Sequence, residues 1–447
     1  MDNKEFVRKH LNDDVNKLAL SKFSEEIDKQ FVIRQIQARQ VLSKKLPSWA
    51  ENDELVFPKK LSLEQCSSEL TAKYKALLLS TNPHESPRKI SADSCELVDE
   101  KEIRVNPCRS VEKNGILVDL TGGMGVDTSF LSDNFDKTYY VEMQEELCDI
   151  ARHNFKILNK NIEVVNDNAE HFLTTCGEVD CIYLDPARRD EYGRKMVSLH
   201  DCSPDVAELQ DVLFEKAKTV MVKLSPMLDI DIVKKELKNI KEIHIIAVKN
   251  ECKEILVLLS QQSSSIAHGS QLIATDLREN WNFSFTEDEE QNAEWTLADK
   301  VGRYLYEPGA AFMKAGCFKL LSQKYNLDKL HRNSHLYTSD VLVPDFPGRI
   351  FEVINVVPFD KKAKKEITSR CQQTTDNGQQ TLSEDSSATQ QLSNSATLKK
   401  ASVATRNFPL SAEELKKNLG LQDGGDFYIF GTTMKGEKKV VVLAKKV

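Results

Sequence analysis

The chain has 447 residues, 40% hydrophobic and 29% charged, a soluble globular composition that is too long for one ordinary core, so two to four domains are expected. A net charge of −8 argues against a protein that simply coats nucleic acid, and the charge is uneven, with 27 acids against 17 bases over residues 114–260. There is no apolar run of about 18 residues, the first twenty residues are charged throughout, and the ten cysteines make no C-x-x-C pair. The expectation is therefore a cytoplasmic protein with no membrane span, no disulfide framework and no metal site.

Residues 1 to about 82 have the three-and-four spacing of helices, from Phe6, Val7 and Leu11 to Phe31, Val32, Ile33 and Ile36, with breaks at Pro47 and Pro58. A second helical piece is predicted from Ser62 to Ser80, where Ser62 can cap and Gln65 can answer it. Arg34, Arg39, Lys44, Lys45, Lys59, Lys60, Lys73 and Lys75 read as solvated helix faces, with a nucleic-acid surface as the alternative. Residues 83–108, with Pro83, Pro87 and Pro107, read as a connector.

From Gly115 to about Ser260 strands and helices alternate, which predicts an α/β doubly wound, mostly parallel sheet. The predicted strands are 116–120, 137–142, 162–166, 179–185, 219–224, 242–248 and 254–259. Only Lys249 to Lys253 join the last two, too short for a crossover helix, so these should form an antiparallel hairpin with a reversed strand at the sheet edge.

Acids recur where these strands end: Asp119, Glu142, Asp167 and Asp185. All four belong at the carboxyl edge, where open α/β sheets bind ligands. Asp119 opens the loop Asp119-Leu120-Thr121-Gly122-Gly123-Met124-Gly125, whose glycines let the backbone turn close to a bound molecule. Glu142 stands where an acid can hold the two hydroxyls of a ribose. A dinucleotide fingerprint would need glycine at Thr128. A carboxylate at Asp119 would repel a pyrophosphate but suit the ammonium and sulfonium of S-adenosylmethionine (SAM), so the loop favours SAM.

In order, Asp119 to Asp127, Glu142, Asp167-Asn168-Ala169 and Asp185-Pro186-Ala187-Arg188 resemble the successive motifs of the class I SAM-dependent methyltransferases over residues 110–260. The resemblance implies a Rossmann-like sheet with an antiparallel last strand. It also implies cofactor binding by Asp119, Thr121, Gly122, Gly123, Gly125 and Asp127 at the amino-acid end of SAM. Glu142 and Met143 would serve the ribose side, and Asp167, Asn168 and Ala169 the adenine edge.

Asp185-Pro186 is similar to the D/N-P-P-Y/F/W motif of enzymes that methylate exocyclic amines of bases, in which the acid and a proline-held carbonyl accept hydrogen bonds from the amine. The resemblance makes Asp185 and Pro186 the catalytic pair. Ala187 and Arg188 replace the second proline and the aromatic, so a stacking partner would come from elsewhere, such as Tyr183, Tyr192 or the N-terminal region. Arg188, Arg189 and Ser225 are candidate substrate contacts; the arginine pair can clamp a phosphate or form an ion pair with Asp190 or Glu191. The D-P-x-R spelling is also similar to uridine C5 methyltransferases, but Val222-Lys223-Leu224-Ser225-Pro226 has no cysteine to attack carbon, and Cys202 reads as a structural thiol. Direct nitrogen methylation remains, with His200 an unassigned candidate for proton removal.

Beyond residue 260 an α+β region is predicted, with strands at 270–277, 282–286, 350–357 and 427–432 and a loop at Glu287 to Glu290. Helices are predicted at Ala310 to Leu321 and from the capping box Ser411-Ala412-Glu413-Glu414 to Leu419. This region resembles the ferredoxin-like and THUMP-like modules of a group of bacterial methyltransferases most familiar from Bacteroidetes. Asn407-Phe408-Pro409-Leu410, Asp423-Gly424-Gly425-Asp426 and the N-terminal segment Leu61 to Glu69 look characteristic of that group. The implied domains are 1–108 helical with connector, 109–262 methyltransferase, 263–340 ferredoxin-like and 341–447 THUMP-like, with a disordered insertion at 363–400 rich in Ser, Thr, Gln and Asn. Lys435, Lys438, Lys439, Lys445 and Lys446 either meet phosphates or protect an edge strand.

THUMP modules bind structured RNA, so the resemblance implies an RNA substrate. Three functions are carried forward: an RNA base methyltransferase, a methyltransferase acting on protein or a small molecule, and an idle SAM-binding RNA module.

Overall fold

The computed structural model describes residues 2–80, 115–188, 198–261, 269–360, 363 and 398–447. The connector 83–108, Arg189, Asp190, Glu191, Tyr192 and almost all of the 363–400 insertion lie outside the described residues. The chain divides into two compact units, Met1–Ile246 with Lys253–Ser270 and Ala247–Cys252 with Gln271–Val447.

The first unit opens with helices α1 Asn3–Lys9, α2 Val15–Ala19, α3 Lys29–Leu42, α4 Pro47–Ala50, α5 Lys60–Gln65 and α6 Glu69–Leu78. The predicted single helix from Ser62 is two helices. Cys66 is extended, with ψ of 156°, and Ser68 rather than Ser62 supplies the cap, its hydroxyl accepting from the Thr71 N–H. Ser62 lies inside α5. Two cations assigned to solvated faces are instead buried. The Arg39 guanidinium donates to the carbonyls of Ala50, Asn52 and Leu55 at 2.8–3.0 Å, pinning the segment after α4, and Lys75 is 0% exposed.

After the helices come β1 Ile116–Asp119, α7 Val126–Leu131, β2 Lys137–Glu142, α8 Glu145–Ile157, β3 Ile162–Asn166, α9 Ala169–Thr175 and β4 Val179–Leu184. A short antiparallel ladder follows, β5 Ala187–Arg188 with β6 Cys202–Ser203, and then α10 Val206–Lys216, β7 Ala217–Leu224, α11 Ile230–Glu236, β8 Ile240–Val248 and β9 Glu251–Ser260. Within the first unit the strand order is β3-β2-β1-β4-β7-β9-β8. Strands β3, β2, β1, β4 and β7 are parallel neighbours, and β9 runs antiparallel to β7. The hairpin forms because Lys249 and Asn250 both take positive φ, 54° and 60°, as a two-residue turn requires. The reversed strand is not at the edge as predicted: β9 is inserted between β7 and β8, and its run Ile255 to Leu259 is buried. A strand buried on both faces needs a continuous apolar run, which β9 has.

The N-terminal helices pack on the sheet, Ala76, Leu78 and Leu79 lying against Leu117, Cys181, Tyr183 and Met221. Leu42, Leu46, Trp49, Phe57, Leu63 and Ala72 pack in a single cluster with Met124 of the glycine loop and Val126 of α7. Asn154 on α8 hydrogen-bonds both ways with the Val56 backbone, at 2.9 and 2.8 Å.

In the second unit, β10 Gln271–Asp276 and β11 Trp281–Thr286 form an antiparallel hairpin. The predicted acidic loop at Glu287 is α12 Glu287–Asn292, because Thr286 and Glu289 make a capping box and the acids sit in its first turn. The predicted helix Ala310 to Leu321 is broken by Gly316 at φ 80° into α13 Ala310–Ala315 and α14 Phe318–Tyr325. Strands β12 Tyr304–Pro308, β13 Asp328–Lys329, β14 Tyr337–Ser339, β15 Gly348–Pro358, β16 Ser402–Arg406, β17 Phe427–Met434 and β18 Lys438–Lys446 form a sheet of order β13-β14-β12-β15-β18-β17-β16. The lysine-rich β18 is therefore no edge strand. It lies between β15 and β17, with Val440 to Ala444 buried. Glu307 on β12, 2% exposed, accepts from Arg349 on β15 and, at 2.7 Å, from Arg406 at the end of β16. A contact between strands four places apart in the order requires the sheet to curl strongly.

Candidate functional site

The parallel strands deliver four acids to one edge: Asp119 ends β1, Glu142 ends β2, Asp167 follows β3 and Asp185 follows β4. All four line a single cleft of about 240 Å³. Thr121, Gly122, Gly123, Gly125, Asp127, Met143, Asn168 and Ala169 line it as well. Ser225 and Pro186 are outside that lining, Arg188 contributes its backbone to β5, and Arg189 falls outside the described residues.

The loop between β1 and α7 is tight enough to demand glycine. A Cβ on Gly122 would stand 2.3 Å from the buried Tyr140 ring, and Gly125 combines φ 79° with Phe155 at 2.7 Å from its would-be Cβ. Several of its backbone amides are already spent. Thr121 N–H donates to Asp119 at 2.9 Å, Gly122 N–H to the Val141 carbonyl at 2.9 Å, Gly123 N–H to Glu142 at 2.9 Å and Gly125 N–H to the Gly122 carbonyl at 2.8 Å.

Each acid is held in place. Asp119 is 1% exposed and accepts from Thr128 Oγ1 at 2.5 Å. Burial pushes its carboxyl up to about 7, against the pull of the Thr128 and Thr121 hydrogen bonds and with Asp127 and Asp185 adding repulsion. The second Glu142 oxygen accepts from Gln144 N–H at 2.9 Å. Asp167 sits 2.7 Å from His171 Nδ1, and that hydrogen bond holds its carboxyl below the usual range; Asn168 caps α9 through His171 N–H at 2.8 Å.

Asp185 forms an ion pair with Lys223 of β7, and its backbone N–H donates to Thr121 Oγ1 at 2.6 Å, so the Asp185-Pro186 turn is tied to the glycine loop. Burial opposes the Lys223 charge, but Asp185, Glu254 and Asp127 more than offset it and raise its pKa. Sequence reasoning missed Lys223; the only signal was one lysine inside an otherwise buried strand, Val220 to Leu224.

Behind the cleft lies a buried charge network that sequence reasoning also missed. Lys75 Nζ is 2.8 Å from Glu254 Oε1, 3.1 Å from Asp127 Oδ1 and 2.9 Å from Ser67 Oγ. The second Asp127 oxygen accepts from Ser67 and from the Tyr183 hydroxyl, each at 2.7 Å. Oδ2 of Asp127 is thus engaged twice within the protein, while Oδ1 has the Lys75 ion pair and no hydrogen bond. Tyr183, 1% exposed and packed on Leu117, Leu131 and Met221, is not available to stack on a base.

His200 does not line the cleft. Its Nδ1 lies 2.9 Å from Asp205, a hydrogen bond that raises its pKa. His200, Asp205 and Glu208 bring ligand-type atoms within 4.8 Å of one another, but Asp205 is occupied as the cap of α10. Cys202 is buried in β6.

The cleft has a wall that was not foreseen. Ser62, Gln65, Cys66 and Ser67, from α5 and the turn before α6, line it together with Ser203 and Pro204.

A crystal structure of a candidate methyltransferase from Porphyromonas gingivalis W83 matches 100% of this chain and 97% of its own, with 29% identity and a TM-score of 0.77. Residues 304–347 match a ferredoxin-like domain family and residues 379–446 a THUMP domain-like family. A Streptococcus mutans structure described as a candidate methyltransferase with SAH is 17% identical over 33% of this chain and 89% of its own, TM-score 0.26. An rRNA methylase from Streptococcus thermophilus is 18% identical over 33% of this chain and 88% of its own, TM-score 0.26. No curated protein matches the chain. No helix among the described residues is long and apolar enough to cross a membrane.

Proposed function

We propose that this chain, which belongs to the class I methyltransferases of the bacterial group with an N-terminal helical region and C-terminal ferredoxin-like and THUMP-like domains, transfers a methyl group from SAM to a nitrogen of an RNA base. The observation that carries the reading is the convergence of Asp119, Glu142, Asp167 and Asp185 on one cleft at the ends of four adjacent strands. The described lining holds six carboxylates and no lysine, arginine or histidine. That donor set fits a ligand carrying an ammonium and a sulfonium and misfits a pyrophosphate.

Bound SAM would supply an electrophilic methyl group. The chain's own part is to orient and to exclude water. Asp119 faces the amino-acid end, Glu142 the ribose, and Asp167 with Asn168 the adenine. Asp185 and the Pro186 carbonyl would accept the amine N–H groups and align the nitrogen with the methyl. Arg188, Arg189 and Ser225 remain the substrate contacts in this reading, with RNA the substrate and domains as expected at 1–108, 109–262, 263–340 and 341–447.

The test is incubation of the wild-type protein with methyl-labelled SAM and fractionated cellular RNA, protein and metabolites. Label is expected in an RNA fraction. Label confined to protein or small molecules would sink the RNA reading.

The Asp119 environment adds a pH dependence. With its carboxyl at about 7, Asp119 is about half protonated at neutrality in the free protein. A ligand ammonium favours the carboxylate, so binding releases a proton. SAM affinity should rise roughly tenfold between pH 5.5 and 7, and Asp119→Asn should flatten the slope. Calorimetry in buffers of different ionisation heat reads both; a flat wild-type profile contradicts this assignment.

A further inference from the structure

The cleft is unbalanced for SAM as a whole. Its six carboxylates suit the two cationic groups, but the ligand's own carboxylate would enter an acidic site with no lysine, arginine or histidine among the described lining residues. The buried cations behind it, Lys75 and Lys223, are turned onto Glu254, Asp127 and Asp185. On the glycine loop the amides of Thr121, Gly122, Gly123 and Gly125 are spent within the protein.

Neutral donors also line the cleft. Ser62 and Gln65 lie three residues apart on α5, so they share a helix face. Both line the cleft, and neither side chain has a hydrogen-bond partner among the described residues. Their helix is fixed against the glycine loop: Leu63 packs in one cluster with Met124 and Val126, Cys66 packs on that cluster, and Ser67 donates to Asp127 at 2.7 Å. Lys45 Nζ ties the same helix from behind through the carbonyls of Leu63 and Glu64, at 3.1 and 2.8 Å.

The geometry points to Ser62 and Gln65 as the residues that receive the carboxylate of the methyl donor, so that the N-terminal helical region supplies part of the cofactor site. This rests on the reading of the cleft as a SAM site. The Ser62 hydroxyl and the Gln65 amide donate to the carboxylate without bringing in a cation that would compete for Asp119. Without them, an acidic cleft favours the same ligand with its carboxylate removed.

Titration calorimetry with SAM and with decarboxylated SAM, which keeps both the ammonium and the sulfonium, separates the possibilities. The wild-type protein should prefer SAM. Ser62→Ala combined with Gln65→Ala should weaken SAM binding by at least about tenfold and leave decarboxylated SAM unchanged, since a hydrogen bond to a charged group is at stake. Gln65→Glu should go further and reverse the preference. Equal weakening of both ligands, or of neither, overturns the assignment while leaving the SAM site standing. Failure of the wild-type protein to bind either ligand overturns the cofactor reading and this assignment with it.

Discussion

Replacing Lys75 with methionine should lower the unfolding free energy of the first unit by about 3–5 kcal/mol, because it leaves buried carboxylates without their cation. Lys75 is fully buried and within 3.1 Å of both Asp127 and Glu254, which are 8% and 3% exposed. Burial alone would push the Asp127 carboxyl up; Lys75 first, then Lys223, with hydrogen bonds from Ser67 and Tyr183, bring it below its ordinary value. A carboxyl lowered on folding adds stability above its unfolded pKa and loses it as pH falls through the folded one. The wild-type protein should therefore lose stability on acidification, and its advantage over Lys75→Met should shrink. Urea midpoints at pH 7 and pH 4 read this out. Restoring neutrality with Asp127→Asn and Glu254→Gln should recover part of the loss. A variant as stable as wild type at pH 7 would mean that the network contributes nothing.

Asp185→Asn should reduce methyl transfer at least about 100-fold, the scale of removing one preorganised polar contact from a transition state, while SAM binding is largely kept. The backbone hydrogen bond from Asp185 to Thr121 does not involve the side chain, so the turn should hold its shape. One carboxylate oxygen is committed to Lys223, and the substitution weakens that pair too. Single-turnover rates with the labelled RNA fraction, alongside SAM calorimetry, separate the two effects. Transfer at the wild-type rate would remove Asp185 from the chemistry.

The parallel-sheet part of the fold was readable because its signals are local. Apolar runs of four to six residues gave the strands, and an acid at the end of each gave the cleft edge. What escaped were decisions made by tertiary contact. Lys75 follows Tyr74 and precedes Ala76-Leu77-Leu78, so its neighbours were apolar, but a lysine's partners lie 52 and 179 residues away in Asp127 and Glu254. Arg39 likewise satisfies three carbonyls that no periodicity announces. The order of β8 and β9 could not be read from a hairpin, since either strand can lie against β7. The segment from Leu61 to Glu69 looks characteristic in sequence, yet its place on the cleft wall depends on how α5 packs against the glycine loop.

The position of β18 between β15 and β17 has a consequence for synthesis on the ribosome. Strands β1 to β9, which include every strand that carries a residue of the cleft, have been made once Ser260 is added, whereas the second sheet stays divided until residues 438–446 emerge to join its two parts. Domains generally fold as units while the chain grows. The cleft can then be complete, and able to hold a small ligand, on a nascent chain whose second unit is still waiting for the strand at its centre.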